Sequence, residues 1–395
     1  MNVSFVYMSR YPWDVRVEKI AKFLDESGHK VHILCRTSKD RPKCEDINNF
    51  SINRLRLFGN RFYKLNRLFD IPLPINPIWI KHISNNIRKN KIDLIIVRDI
   101  PLALPSIIAA RLNRIPVVLD MAEHYGAMFA DLIRDTTGWK KIPRFIMKNP
   151  WVADLIEKIV LKYIDHTMVV IEESKERLKK LGVPSEKISV VSNTPPIIKY
   201  SDDKVDLPSG LKIVYIGQLQ TSRGLETVIR GFKHIINQDP DIHLYVGGSG
   251  VQTEYFKKLA KDQKIEDNFH FLGWVKPELT VKYINSCDIG IVPHLATKHW
   301  ISTIPNKIFD YMLCGLPVLV SDAPPLKRII DESGCGWSFK AGAPDDFAKK
   351  VLEISRMEDV SQIGLNGRKA VLERFNWAND CKNLQRSIEY IVSKK

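Results

Sequence analysis

The chain has 395 residues, 44% hydrophobic and 27% charged, with 60 Lys and Arg against 45 Asp and Glu. That mixture excludes a disordered or low-complexity chain, and the length suits two domains of ordinary size. No apolar run approaches the ~18 residues of a membrane span, and the first strand begins without a basic-plus-apolar leader, so neither a spanning helix nor a signal peptide is expected. The six cysteines, Cys35, Cys44, Cys287, Cys314, Cys335 and Cys381, are scattered and form no C-x-x-C pair. This usage predicts a reducing cytosol and no structural metal.

In chain order, buried strands are predicted at Val3–Tyr7, Val31–Leu34, Ile52–Leu55, Leu94–Val97, Val117–Asp120 and Met168–Ile171. Between the first two, Val17, Ile20, Ala21 and Leu24 follow the i, i+3, i+4, i+7 spacing of a helix, which Gly28-His29 ends. Pro195–Gly210 is rich in Pro, Ser and Asp, has no periodicity, and reads as a linker. The pattern restarts with strands at Ile213–Ile216, His243–Val246, Phe269–Phe271, Ile289–Val292 and Val318–Val320. Strand–helix alternation predicts parallel, doubly wound sheets, with ligands beyond the strand C-termini. Two such series give two Rossmann-like domains, 1–200 and 201–378. A last helix, about 379–395, is expected to pack back on the first domain.

Charge is unevenly placed: residues 1–200 carry 34 Lys and Arg against 21 Asp and Glu, and residues 201–395 carry 26 against 24. The basic half predicts an anionic partner. Within it, Arg54–Lys91 and Trp139–Trp151 interleave basic and large apolar residues, as an interfacial membrane site does. Solvated helix faces are the plainer alternative. Nucleic acid is not expected, for no recognised nucleic-acid module is present.

The candidate chemistry lies at the strand ends. After the first strand of the second half comes Gly217-Gln218, where glycine admits a ligand close to the backbone, and then Arg223, which can neutralise a diphosphate. A second glycine turn, Gly247-Gly248-Ser249-Gly250, follows the next strand. Pro305 suits the first turn of a helix, leaving the N–H groups of Asn306, Lys307 and Ile308 to face an anion, with Asp310 in reach of a sugar hydroxyl. An ordinary core helix is the alternative there. In the first half, Glu123 and His124 follow a buried strand and are candidates for the transferred sugar or acceptor hydroxyl. Asp14 and Arg16 follow the first strand and are candidates for the acceptor, although Asp14 also suits a helix cap. Trp274, His294 and His299 are candidates for shaping the pockets.

Taken together, GQLQTSRGLETVIRGF, FLGWVKPEL, CDIGIVP and PNKIFDYMLCGLPVLVSD, with DVRVEKIAKFLDESGHKVHIL, PVVLDMAEHY and VVSNTPP in the first half, resemble glycosyltransferase family 4, retaining enzymes of the GT-B fold. The resemblance implies two Rossmann-like domains facing across a cleft, with a nucleotide sugar held mainly by the second and an acceptor by the first. It implies that Arg223 is the basic diphosphate ligand, that the backbone at Asn306 and Lys307 is the diphosphate-binding turn, and that Asp310 holds the ribose. It places Trp274 and Val275 by the base. Three positions depart from the family pattern. Ser302 stands where the first Glu of a Glu-x7-Glu motif is expected, Gln218 where an Arg is usual, and Tyr11-Pro12-Trp13-Asp14 where a Gly-Gly loop is common. Lys307 is the candidate to supply the missing charge.

The expected function is therefore retaining hexosyl or N-acetylhexosaminyl transfer from a nucleotide sugar, UDP- or GDP-linked, to a lipid-linked or cell-surface glycan precursor. No metal or other cofactor is expected. The expected location is the cytoplasm, peripheral at the inner face of the cell membrane. Two alternatives stay open: a GT-B nucleotide-sugar epimerase, and a non-catalytic partner that binds nucleotide sugar or membrane for another transferase.

Overall fold

The computed structural model describes residues 1–393 except Trp13, Pro72, Thr137, Trp139, Lys140 and residues 198–201. Trp13 of the Tyr11–Asp14 segment, Trp139 of the second basic–aromatic patch, and the middle of the expected linker thus lie outside the described residues. The chain divides into two compact units, Met1–Ser192 with Cys381–Lys395, and Asn193–Asp380. The division falls at Ser192/Asn193 instead of 200/201 because residues just beyond it are already tied to the second unit. Thr194 donates both its N–H and its hydroxyl to Asp380, and Trp377 N–H donates to the Pro195 carbonyl at 2.9 Å. The helix Trp377–Val392 spans the other division point, and beyond it Asn383 donates to the Val190 carbonyl at 3.0 Å.

In the first unit, eight strands form one sheet: β1 (Asn2–Tyr7), β2 (Lys30–Arg36), β3 (Cys44–Ile47), β4 (Phe50–Leu55), β5 (Leu94–Arg98), β6 (Val117–Met121), β7 (His166–Val169) and β8 (Ile188–Val190). Their order is β3-β4-β2-β1-β5-β6-β7-β8, and every pair is parallel except β3 with β4. The helix Val15–Glu26 buries Val17, Ile20, Ala21 and Leu24, the residues whose spacing predicts it.

The second unit holds β9 (Lys212–Ile216), β10 (His243–Gly247), β11 (Phe269–Gly273), β12 (Ile289–Val292), β13 (Val318–Ser321) and β14 (Gly336–Phe339). They form an all-parallel sheet in the order β11-β10-β9-β12-β13-β14. Both sheets are thus doubly wound, as expected. In each, the first strand is central, and the chain turns away from it in opposite directions. Ligands of such sheets bind outside the strand C-termini at this switch point, here between β9 and β12.

Three strands were not foreseen: β3, β8 and β14. All are short edge or near-edge strands with no continuous apolar run; β3 alternates exposed and half-buried residues along its length. Strand β7 begins at His166 instead of Met168.

The core of the second unit is a cluster of aliphatic and aromatic side chains between one face of the sheet and the helices packed on it, among them Leu225–Ile236 and Pro344–Ser355. Phe232 is fully buried in it and meets Phe269 edge-on, with ring centroids 5.7 Å apart. Phe232→Ala is expected to destabilise this unit by about 3–5 kcal/mol, the range for emptying a buried aromatic site. Urea denaturation would measure it, and a loss below ~1 kcal/mol would contradict this packing.

Candidate functional site

The loops after β9, β10 and β11 lie backbone against backbone. Gly217 N–H donates to Gly247 O at 2.8 Å, Gly248 N–H to Gly273 O at 2.6 Å, and Leu219 N–H to Ser249 O at 3.1 Å. Gly248 has φ 138°, and a Cβ there would lie 1.8 Å from the Gly217 carbonyl, so no side chain fits. On the other side of β9, Leu295 N–H donates to Ser222 O at 3.0 Å. The strand-end loops of β9 and β12 are therefore joined across the switch point.

Lys307, first residue of the helix Lys307–Leu313, sits under this junction. It is 9% exposed, its Nζ lies 3.6 Å from the centroid of the Tyr215 ring, and among the described residues that Nζ has no hydrogen-bond partner. Gly217 makes room for it, since a Cβ at Gly217 would stand 2.6 Å from that Nζ. Burial, and then Arg223, push the Lys307 ammonium well below its usual range, with Asp310 opposing. Arg223 stands with its guanidinium 5.2 Å from the Trp300 ring centroid; it donates to Gln218 Oε1 at 3.3 Å, and its buried Nε has no partner. His294, fully buried, meets Trp300 edge-on at 4.2 Å, and neither ring nitrogen has a partner among the described residues. Burial first, then Lys307 and Arg223, keep that imidazole well below its usual range. Trp300 Nε1 is likewise buried and unpaired.

Buried donors left without acceptors are costly, and native structures contain few. Lys307, Arg223, His294 and Trp300 bring such donors to one strand-end region. A group with that donor set can accept an anion rich in oxygen, and a diphosphate has the charge to repay the desolvation.

The other residues singled out from the sequence fall around this cluster. Gln218 accepts from Arg223 and Gln220 through Oε1, and its carbonyl accepts the Tyr215 hydroxyl at 2.8 Å. Asn306 is exposed and precedes the helix without a side-chain cap. Asp310 is half-buried on the same helix. The Ile308 N–H does not face outward as expected; the Pro305 carbonyl takes it at 3.3 Å. The helix begins at Lys307, so Pro305 precedes it instead of opening it. Val275 packs against Gly247, while Trp274 is 68% exposed beyond β11. Ser302 is buried, and its hydroxyl donates to the Lys298 carbonyl at 2.8 Å, so it does not imitate a carboxylate.

In the first unit Asp14 and Arg16, the candidates for the acceptor, are both engaged within the chain. Asp14 caps the helix Val15–Glu26, accepting from Arg16 and Val17 N–H at 3.0 and 2.9 Å, and receives the Tyr7 hydroxyl at 3.3 Å. Arg16 is 2% exposed; its guanidinium pairs with Asp120 at 2.6 Å and donates to the Ser192 carbonyl at 3.1 Å. An ion pair that deep holds both partners in place. Glu123 is half-buried. His124 precedes the helix Tyr125–Arg134, and its Nε2 lies 3.1 Å from Asp154 Oδ1. Burial, followed by Arg177, lowers its affinity for a proton.

Sequence reasoning missed Asp99. It follows β5 with φ 62° and ψ 173°, a backbone region that glycine occupies and other residues rarely do. Its N–H donates to Asp120 O at 2.9 Å, and its Oδ1 accepts from Ala122 N–H at 3.0 Å, which holds that conformation. Burial raises its carboxyl to about 6, against the pull of Arg98. The available signal was an Arg-Asp pair directly after a buried strand. Trp300 was missed as well, while its neighbour His294 was among the candidates for shaping the pockets.

Residues 14–194 match the family described as Glycosyltransferase Family 4, and residues 201–370 match Glycosyl transferases group 1. The amylovoran biosynthesis glycosyltransferase AmsK of Erwinia amylovora is 26% identical over 205 residues, 51% of this chain and 50% of that protein. The chain thus spans about half the length of that relative. The alpha-monoglucosyldiacylglycerol synthase of Streptococcus pneumoniae is 21% identical over 84% of this chain and 72% of its own. Among solved structures, Anabaena HepE in complex with UDP-glucose superposes with a TM-score of 0.69 over the whole of both chains, at 16% identity. At that identity the likeness shows the fold alone.

Two outcomes follow from the buried cations. Lys307→Ala is expected to weaken nucleoside-diphosphate binding about tenfold or more, and unchanged affinity in a titration would remove Lys307 from the site. A diphosphate brought beside Lys307 would also restore its charged form, so binding is expected to take up protons and to weaken as pH rises. The sign for folding agrees: the unfolded chain holds this proton more tightly, so the group's contribution to stability grows with pH up to the usual lysine range. Calorimetry in buffers of different ionisation enthalpy would measure the uptake; heats independent of buffer would overturn it.

Proposed function

Because this chain belongs to glycosyltransferase family 4, with the group 1 glycosyl transferase domain as its second half, we propose that it transfers a sugar, with retention, from a nucleotide sugar to a hydroxyl acceptor. The observation that carries this reading is the set of buried, unpaired donors of Lys307, Arg223 and His294 at the switch point of the second sheet. The complex of Anabaena HepE with UDP-glucose supports a UDP-linked donor. The resemblance to a monoglucosyldiacylglycerol synthase and to an amylovoran biosynthesis enzyme supports a lipid-linked or cell-surface glycan acceptor, met by the basic first unit at a membrane surface.

In this reading the bond between the anomeric carbon and the diphosphate oxygen breaks first. Negative charge gathers on the leaving diphosphate, where Arg223 and Lys307 stabilise it in a region screened from water. The acceptor oxygen attacks the same face of the sugar, and its proton passes to an oxygen of the leaving phosphate. Asp310 holds the ribose, Trp274 and Val275 flank the base, and Gly217 and Gly248 allow the backbone to approach the diphosphate. Glu123 and His124 serve the sugar or the acceptor hydroxyl. No metal or other cofactor takes part in this scheme.

A second reading, binding of nucleotide sugar without turnover, draws on Ser302 and Gln218, which stand where the family pattern expects charged groups. Thermal-shift measurements with UDP-, GDP-, ADP- and dTDP-sugars identify the donor, since a ligand of the native state raises its melting temperature. Release of nucleoside diphosphate only with acceptor present marks transfer. Release without acceptor points to epimerase or hydrolase chemistry, and binding with no release under any condition favours the second reading. Arg223→Ala is expected to lower the transfer rate by about a hundredfold or more, the loss of one transition-state donor. Near wild-type turnover would place Arg223 outside the chemistry.

A further inference from the structure

The most unusual surface of the molecule is the helix pair Lys141–Met147 and Pro150–Tyr163, joined by Lys148 and Asn149. The first helix buries none of its residues. The second is apolar on both sides: its inward face carries Ala153, Val160 and Leu161 with Glu157, and its outward face is mostly apolar too. Across the pair, Ile142, Ile146, Met147, Trp151, Leu155 and Ile159 are exposed, Met147 by 80% and Trp151 by 75%. Phe145 and Trp151 meet edge-on at 6.0 Å, fixing one helix against the other. Single exposed apolar residues are ordinary, but a contiguous set on two adjoining helices marks an interaction site.

Its charge says what it meets. Residues 141–163 carry Lys141, Arg144, Lys148, Lys158 and Lys162, and their only acids are Asp154 and Glu157. Both acids are already engaged: Asp154 with His124 at 3.1 Å, and Glu157, 2% exposed, with Arg177 at 2.5 Å. What remains outward is apolar surface framed by uncompensated positive charge. Helices of this composition lie in the headgroup region of an anionic bilayer, with lysine stems along the apolar face and ammonium groups at the phosphates.

We propose that this helix pair is the membrane-docking element of the chain and that its partner is an anionic phospholipid surface. The inference refines the membrane part of the reading above and is independent of its donor chemistry. It also links docking to the candidate acceptor loop. Asp154 on the docking helix holds His124, and a Cβ at Gly126 would lie 1.8 Å from Asp154 Oδ1, so the start of the Tyr125–Arg134 helix is seated directly on the docking helix. A lipid-borne hydroxyl would then meet Glu123 and His124 from the surface that holds the protein.

Flotation of the full chain with vesicles tests this. The protein is expected to float with vesicles containing phosphatidylglycerol, to stay behind with phosphatidylcholine alone, and to be released by high salt. The double variant Ile146→Glu, Trp151→Glu should lose at least about tenfold in bound fraction, and Lys158→Glu, Lys162→Glu should lose binding while keeping the apolar face. Each variant is checked by its melting temperature and by the UDP-induced thermal shift, which should match wild type because these side chains are exposed. A double variant that floats like wild type overturns the proposal, as does a wild type that floats on neither vesicle. A wild-type dimer converted by the double variant to a monomer, with no vesicle binding, would show a contact between copies and overturn it too. Loss of the UDP shift in the wild type would overturn the donor reading alone.

Discussion

Charging a lysine in a protein interior without a paired carboxylate costs several kcal/mol, and at Lys307 the second unit carries that cost as a proton held far less tightly than usual. The Tyr215 ring under the Nζ returns part of that cost through its π face. Tyr215 is in turn held by donating to the Gln218 carbonyl, and Tyr311 accepts the Ile216 N–H at 2.9 Å, which locks the end of β9 over the same helix. Glycine at 217 leaves space for the lysine, and glycine at 248 lets the next loop close over the first. These features share one consequence: groups able to take up a proton, and unused donors, are concentrated where a doubly wound sheet presents its ligand.

The first unit solves the same topology in the opposite way. At its strand ends Arg16, Arg98, Asp99 and Asp120 neutralise one another, with Arg16 and Asp120 almost wholly withdrawn from water. Asp99 keeps a strained backbone because two hydrogen bonds, to Asp120 O and from Ala122 N–H, hold it there. A neutralised edge does not attract a diphosphate. The two strand-end edges thus differ in charge pairing although they share the same winding.

Much of this was legible before any coordinates. The helix Val15–Glu26, the central strands of both sheets and the glycine turns at Gly217 and Gly248 follow from apolar spacing and from where glycine interrupts it. The edge strands β3, β8 and β14 were not legible, because edges lack the apolar run that identifies a buried strand. Asp14 and Arg16 looked like ligand-binding residues beside a strand end. Nothing local reveals that Asp120, about a hundred positions away, claims Arg16. The basic–aromatic stretch before Trp151 was visible as composition, but composition does not say that its apolar residues face outward.

The alternation of strand and helix, the two doubly wound units, the family and the residue types at the strand ends are all legible in the chain. These are properties of short windows, where period and turn chemistry decide the outcome. Only the tertiary structure decided which charges are cancelled and which are left over: Arg16 spent on Asp120, Lys307 and His294 left without partners, and the Lys141–Tyr163 helices left uncovered. The reason is physical. Burial and pairing depend on side chains brought together from distant parts of the chain, and no local pattern records whether a charge will meet its opposite.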